Sequence, residues 1–206
     1  MDRFSFFFGF YGLILGLSAT EVLGGFAGFV RARAVRRIDA QTALLALFTF
    51  IAICATWIDA WDSLRNVTLD FAGLWAPILI ATCYYLAATV VFPRDADALA
   101  DLATYYAQRK AFVLAMLLVS DVLVTVTYGP VLMEQLHARP AVVWLYYLPY
   151  SALTKITMAI LFFVHGRRAN ITVLAVLILQ FLVPYWDHGR IIGMIENAYG
   201  YTHSVH

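Results

Sequence analysis

Six stretches of this chain, 4–30, 43–61, 71–92, 111–133, 142–164 and 171–186, are runs of almost uninterrupted apolar residues. A bilayer core about 30 Å thick is crossed by about 20 such residues wound as a helix, and all six come close to or exceed that length. A water-soluble fold would have to expose several of them. Composition points the same way: 63% of the 206 residues are hydrophobic and 13% charged, against about 45–50% and about 25% in soluble domains. The expectation is an all-α integral membrane protein, a six-transmembrane helix bundle forming one domain over 1–206 with the lipid bilayer as its first partner. The spans consume most of the chain and leave no room for a large soluble domain. A net charge of +1 gives no sign of a nucleic-acid partner. Cys54 and Cys83 both fall inside apolar runs, so neither a disulfide framework nor zinc-ligand spacing is present.

The first run is too long for a signal peptide, carries only Asp2 and Arg3 before it and lacks a small-residue cleavage site, so it reads as a retained span. Orientation follows from the Lys/Arg bias of the short loops. Nine basic residues (Arg31, Arg33, Arg36, Arg37, Arg94, Arg109, Lys110, Arg167 and Arg168) fall on one side, against Arg3, Arg65, Arg139 and Arg190 on the other. Both termini are therefore expected outside, in the periplasm of a bacterial host. Trp57, Trp61, Trp144, Tyr146, Tyr147, Tyr185 and Trp186 fall at the proposed outer interface, where amphipathic rings are favoured. Between spans three and four, Leu99, Leu102 and Tyr106 recur at helical spacing with Asp97 and Asp101 off that stripe. This pattern predicts a short cytoplasmic interfacial helix within 95–110, separated from span three by Pro93. Three spans followed by three also permit an inverted-topology repeat.

Span one carries small residues at every fourth position: Gly12, Gly16, Thr20, Gly24 and Gly28. Residues four apart share a face, and small ones let a neighbouring backbone approach, so Gly12, Gly16, Gly24 and Gly28 are expected to form a packing face, more readily within the chain than between subunits.

Three ionisable side chains lie deep inside spans. At about 1.5 Å rise per residue, Glu21, Asp121 and Lys155 lie roughly 13, 15 and 13 Å from the inner ends of spans one, four and five. Gln180 and Cys83 fall near the same height and Cys54 slightly further out. Each lone charge there costs roughly 2.5–3.5 kcal/mol on insertion scales, so one ammonium level with two carboxylates offsets part of the cost. Asp121 shares a helical face with Thr125 and Tyr128, Lys155 with Ser151 and Ala159, and Glu21 borders Gly24, Gly25 and Gly28. The functional reading is a proton relay, or an ion or substrate site, built from Glu21, Asp121, Lys155 and Gln180 and lined by Thr125, Tyr128 and Ser151. Two carboxylates against one ammonium leave an excess negative charge that favours taking up a proton. The plainer reading is a buried ion pair that fixes helix register.

Other features carry less. Asp59, Asp62 and Asp70 cluster at the outer end of spans two and three, where an acidic funnel for cations competes with ordinary solvation. The basic run from Arg31 to Arg37 reads as topogenic, with anionic lipid headgroups as its other use. His203 and His206 at the tail, with His188 upstream, lack the acidic or thiolate neighbours of a metal site. His137 and His188 fall outside and His165 at the inner boundary, so no pair of histidines stands at mid-membrane to hold a haem. No metal or haem site is expected. A Schiff-base pigment on Lys155 has only the charge pattern in its favour. P-loop, HExxH, GxSxG and kinase signatures are absent.

The stretches FFGFYGLILGLSATE (7–21), WIDAW (57–61) and YYLAATVVFP (84–93) resemble those of small bacterial multi-pass inner-membrane proteins. That resemblance implies a bacterial inner-membrane location and brings no catalytic or binding residue with it. The sequence thus leads to a small channel or proton/ion-coupled carrier, acting as a homo-oligomer or within a larger membrane complex. A non-transporting accessory or scaffold subunit docking through span one is the alternative, and a membrane enzyme acting on lipid or quinone comes third.

Overall fold

The computed structural model describes residues 3–32, 39–63, 71–93 and 101–201. Of the residues singled out above, Asp2, Arg33, Arg36, Arg37, Arg65, Asp70, Arg94, Asp97, Leu99, His203 and His206 lie outside them, as do the side chains of Arg3, Asp62, Tyr185, Trp186 and His188. The described residues form helices and short connections: α1 (Arg3–Ala32), α2 (Ala40–Ser63), α3 (Phe71–Val91), α4 (Leu102–Thr127), α5 (Gly129–Ala138), α6 (Pro140–Val142), a π turn (Val143–Tyr147), α7 (Leu148–Phe163) and α8 (Arg167–Ala198). No strand occurs among them.

Among the described residues, four helices are long and apolar enough to cross a membrane, over Ser5–Gly28, Ala40–Trp61, Leu74–Val91 and Leu102–Thr127. Their outer surfaces are apolar too. Leu13, Leu17 and Leu23 on α1, Val119, Val122 and Val126 on α4, and Leu153, Ile156 and Ile160 on α7 are all exposed. An apolar exterior of this extent is compatible with a surface that faces lipid. The fifth apolar stretch lies on α6, the π turn and α7, which follow one another without a break, and the sixth lies within α8.

The fourth helix differs from expectation at both ends. No separate interfacial helix precedes it among the described residues. Leu102 begins α4 itself, and Asp101 caps it, accepting bonds from the Thr104 hydroxyl at 2.6 Å and the Thr104 amide at 3.1 Å. These bonds hold the Asp101 carboxyl below the usual carboxylate range. No Gly or Pro interrupts 102–127, so the amphipathic stripe and the apolar run fuse into one rod. At the far end α4 stops at Thr127, not at 133. Pro130 has no amide hydrogen and its ring clashes with the carbonyl four residues back, so it starts a new helix instead.

α3 packs on α4 and α1, α2 lies against α8, α1 and α4, and α7 rests on α4 and α8. Buried Tyr11, Leu15, Phe48, Ile53, Leu114, Leu117, Met158, Leu161, Leu174 and Leu177 form the continuous core, with Phe48 meeting Phe181 edge-to-face at 5.3 Å between centroids. Asp39 begins α2, accepting from the Thr42 amide and hydroxyl at 3.2 Å each, and reaches Arg167 at the start of α8 at 3.4 Å. At the opposite end Arg139 pairs with Glu196.

Among the described residues, one position of the α1 glycine ladder meets a neighbour: a Cβ at Gly12 would touch the Trp57 indole nitrogen at 3.1 Å, whereas one at Gly16, Gly24 or Gly28 would meet none of them within 4 Å. The close approach is one residue off the ladder, at Gly25, where a Cβ would overlap the ring of Phe92. We expect Gly25→Ala to destabilise the fold by about 1–3 kcal/mol, the usual range for overpacking, and Gly16→Ala to leave it unchanged. Denaturant titration of the two purified variants distinguishes them.

Candidate functional site

The π turn sets up the site on α7. Pro149 lacks the amide hydrogen that would bond the Leu145 carbonyl, and its ring crowds that carbonyl. The helix widens just ahead of it, and the Leu148 amide reaches back five residues to the Val143 carbonyl. π turns of this kind recur at functional sites. Tyr146 stacks on Tyr150, with centroids 6.2 Å apart and planes 9° from parallel, and the next residue is Ser151.

From that point α7 presents Ser151 and Lys155, one turn apart, to the face of α4 that carries Asp121 and Thr125. The Lys155 ammonium lies 2.8 Å from Asp121 Oδ2 and donates to Thr125 Oγ1 at 2.9 Å and to Ser151 Oγ at 2.7 Å. The two hydroxyls accept hydrogen bonds from the ammonium, whereas Asp121 Oδ2, buried and without a hydrogen-bond partner among the described residues, meets it as an ion pair. Thr125 is itself fixed, its hydroxyl donating to the Asp121 carbonyl at 2.8 Å. The Lys155 and Asp121 side chains keep 26% and 23% of their surface exposed, while the Asp121 Oδ2 that faces the ammonium is itself buried.

Two neighbouring features continue the polarity away from the pair. Toward the Asp59 end, a cavity of about 30 Å³ is lined by residues including Tyr11, Thr56, Asp59 and Thr127, room enough for a water molecule. Below it the Thr56 and Tyr84 hydroxyls meet at 2.7 Å, both buried, and Ser120, the residue before Asp121, also faces the Tyr84 hydroxyl. Toward the other end of α7, Gln180 on α8 donates to the Thr157 hydroxyl at 3.3 Å, while its own carbonyl oxygen is buried without a hydrogen-bond partner among the described residues. Gln180 therefore faces α7 from the α8 side, not from the α4 side where the ion pair forms. Tyr128 closes α4 one turn beyond Thr125.

Glu21 stands elsewhere. It lines a groove between α1 and α3, together with Tyr85, Thr89 and Phe92. The two regions are level along α3, since Tyr84 beside the Asp121 region and Tyr85 beside Glu21 are consecutive residues. Laterally α3 separates them: the α4–α7 pair lies on one side and the α1 groove on the other. The structure therefore brings together Asp121, Lys155, Thr125 and Ser151, and leaves Glu21 and Gln180 in separate settings.

Lys110 is the residue that loop-charge reasoning missed. Instead of marking a loop it is buried, donating to the carbonyls of Leu161 (2.8 Å) and Val164 and to Asn170 Oδ1 at 3.2 Å. An ammonium on the last carbonyls of α7 also opposes the negative end of that helix. Asn170 accepts from the Tyr106 hydroxyl at 3.1 Å and donates to the Gly166 carbonyl at 3.0 Å, so the α7–α8 turn is tied down from α4. The signal was present in the sequence, because Leu102, Tyr106, Lys110, Val113, Leu114 and Leu117 form one buried stripe on α4. Counted from this anchor, Asp121 lies about 16 Å along α4 and Lys155 about 13 Å along α7 from Val164.

Comparison with known protein families, with curated proteins and with solved structures yields no match to the chain.

Proposed function

We propose that this chain is a six-span inner-membrane protein, with both termini on the periplasmic side, that moves protons or small ions as a coupled carrier or small channel. The observation that supports this reading is the Asp121–Lys155 pair. Opposite charges from α4 and α7 meet midway along two apolar stretches with about a quarter of each side chain still accessible, and ionisable groups retained within membrane spans mark ion and proton pathways. Asp121 and Lys155 act as the exchangeable pair, and Ser151 and Thr125 hold the ammonium when the carboxylate is engaged elsewhere. The polar trail through Asp59, Thr56 and Tyr84 supplies an approach from the outer side. A six-span count rests on placing the fifth and sixth spans on α6–α7 and α8.

The test is flux in proteoliposomes that carry a pH-sensitive dye, driven by a potassium diffusion potential. Asp121→Asn and Lys155→Met are each expected to lower flux at least tenfold while the protein remains folded and inserted. Flux equal to that of empty vesicles for the wild type, or unchanged flux in both variants, overturns the reading.

A second reading, an accessory or scaffold subunit, is favoured by one observation: no described residue packs within 4 Å of a Cβ at Gly16, Gly24 or Gly28 of α1, the kind of surface against which a partner helix packs closely.

A further inference from the structure

We propose that the species moved by the Asp121–Lys155 site is the proton, and that the Tyr84 hydroxyl passes it to Asp121 from a water held in the cavity beside Asp59. This rests on the transport reading above and narrows it to one substrate. The bonds along the route all run one way. Ser120 spends its hydrogen on the Leu117 carbonyl at 2.9 Å, so toward Tyr84, its other hydrogen-bond partner, it can only accept. Tyr84 therefore donates to Ser120 and receives from Thr56, 2.7 Å away. Thr56 has its hydrogen to give. Thr49, about two turns earlier on the same helix, donates to the Leu45 carbonyl at 2.9 Å, as hydroxyls inside helices commonly do. Thr56 instead turns toward α3, and its oxygen is left to accept from the cavity that it lines.

That cavity, about 30 Å³ in volume, has room for one water, and Tyr11, Thr56, Asp59 and Thr127 in its wall offer the polar partners that a held water needs. Asp59 is exposed, so the water exchanges protons with the solution at that end of the bundle. Thr56, Tyr84 and Ser120 are all buried. Hydroxyls in hydrogen-bond contact leave no gap for a metal ion, which needs several oxygens around it. A proton needs no gap, because it is relayed by exchange of bonds. In the transfer step Tyr84 turns its hydroxyl from Ser120 to the next residue, Asp121, in whose field it stands, and gives its proton to the carboxylate. Thr56 replaces that proton, the water replaces the one Thr56 gave, and the solution replaces the one lost by the water. Each hydroxyl loses one proton and gains one, while Asp121 gains one and becomes neutral. Its Oδ2 is suited to receive it, being buried without a hydrogen-bond partner among the described residues. The Lys155 ammonium is then left to Ser151 and Thr125.

The test uses the full chain in proteoliposomes with two readouts, internal pH from an entrapped dye and uptake of radioactive sodium. Wild-type proton flux is expected to be the same in sodium chloride and in N-methylglucamine chloride, with sodium uptake no greater than in empty vesicles. Tyr84→Phe, which keeps the ring and deletes only the hydroxyl, is expected to lower proton flux at least tenfold. Thr56→Val should do the same, Thr56→Ser should retain the flux because it keeps the hydroxyl, and Thr49→Val, the same change on the same helix, should have no effect. The contrast between valine and serine at 56 decides the matter if Tyr84→Phe fails to fold. Undiminished proton flux in Tyr84→Phe or in Thr56→Val overturns the proposal, as does equal loss in Thr56→Ser and Thr56→Val. So does sodium uptake above that of empty vesicles, or proton flux that requires sodium. In each of these cases loss of flux in Asp121→Asn still supports the transport reading. Absence of both proton and sodium flux in the wild type overturns that reading and this proposal with it.

Discussion

Lys110→Met is expected to destabilise the protein by about 3 kcal/mol, the largest effect of any single substitution away from the ion pair. The ammonium makes three bonds, to Leu161, Val164 and Asn170, and hydrogen bonds involving a charged group each contribute about 1.5–3 kcal/mol. Methionine fills much the same volume but satisfies none of the three acceptors, and leaving buried acceptors without donors adds its own penalty. Part of the loss is offset because an ammonium no longer has to be taken out of water. The adjacent Arg109 is exposed and provides the control: Arg109→Met should change stability by no more than about 0.5 kcal/mol, as for ordinary surface positions. Unfolding both variants in detergent by titration with sodium dodecyl sulfate separates the cases. Equal and small losses would show that Lys110 serves only as a topogenic charge.

The second large effect concerns the Asp121–Lys155 pair and is best read as a cycle. Neutralising one partner leaves the other charge alone at a depth where insertion scales assign it roughly 2.5–3.5 kcal/mol. Partial exposure of both side chains reduces this, so Asp121→Asn and Lys155→Met should each cost about 2 kcal/mol. The double variant removes both charges, and its stability should recover to near the wild-type value, as when buried ion pairs are replaced by neutral residues of similar shape. A coupling of at least about 1 kcal/mol is expected for groups in direct contact. Additive losses would mean that the two side chains do not interact. The informative comparison is between stability and flux. If the double variant folds as well as the wild type and yet carries no flux, the charges are kept for what they move, not for what they hold together.

Much of the fold could be read directly because apolar run length is nearly the same quantity as helix length in a membrane. The runs 4–30, 43–61 and 71–92 correspond to α1, α2 and α3 to within three residues at each end. The fourth run was misjudged where two signals overlapped. An amphipathic stripe ending in Lys110 resembles a surface helix, but Tyr106 and Lys110 lie on the same face as Leu114 and Leu117, and their polar ends are satisfied by Asn170 and by carbonyls of α7. Composition alone does not show that a lysine has such partners.

The candidate site was legible to the same degree. Counting rise along each helix gives height and says nothing of direction around the axis. Height was enough for Asp121 and Lys155, since α4 and α7 are neighbours. It failed for Glu21, because α3 stands between α1 and α4. The glycine spacing failed for a related reason: a ladder of small residues names a face, and the packing of the other helices decides whether that face looks inward. Here Gly25, off the ladder, meets Phe92 and turns Gly24 and Gly28 toward the groove. Pro149, by contrast, is visible in the sequence, but its effect on the turn before it depends on how the freed carbonyl is accommodated.

That widened turn makes the aim of α7 unusually dependent on residue number. Each residue inserted in or removed from a helix swings everything beyond it by about 100°. The stretch Val143–Tyr147 already contains one residue more than a regular helix uses, so a chain shortened by one there keeps Lys155 directed at Asp121, at the cost of bringing the proline ring against the carbonyl four residues before it. The same deletion between Leu148 and Lys155 would turn the ammonium away from α4 toward lipid. Length variation in this region is thus tolerated on one side of Pro149 and not on the other.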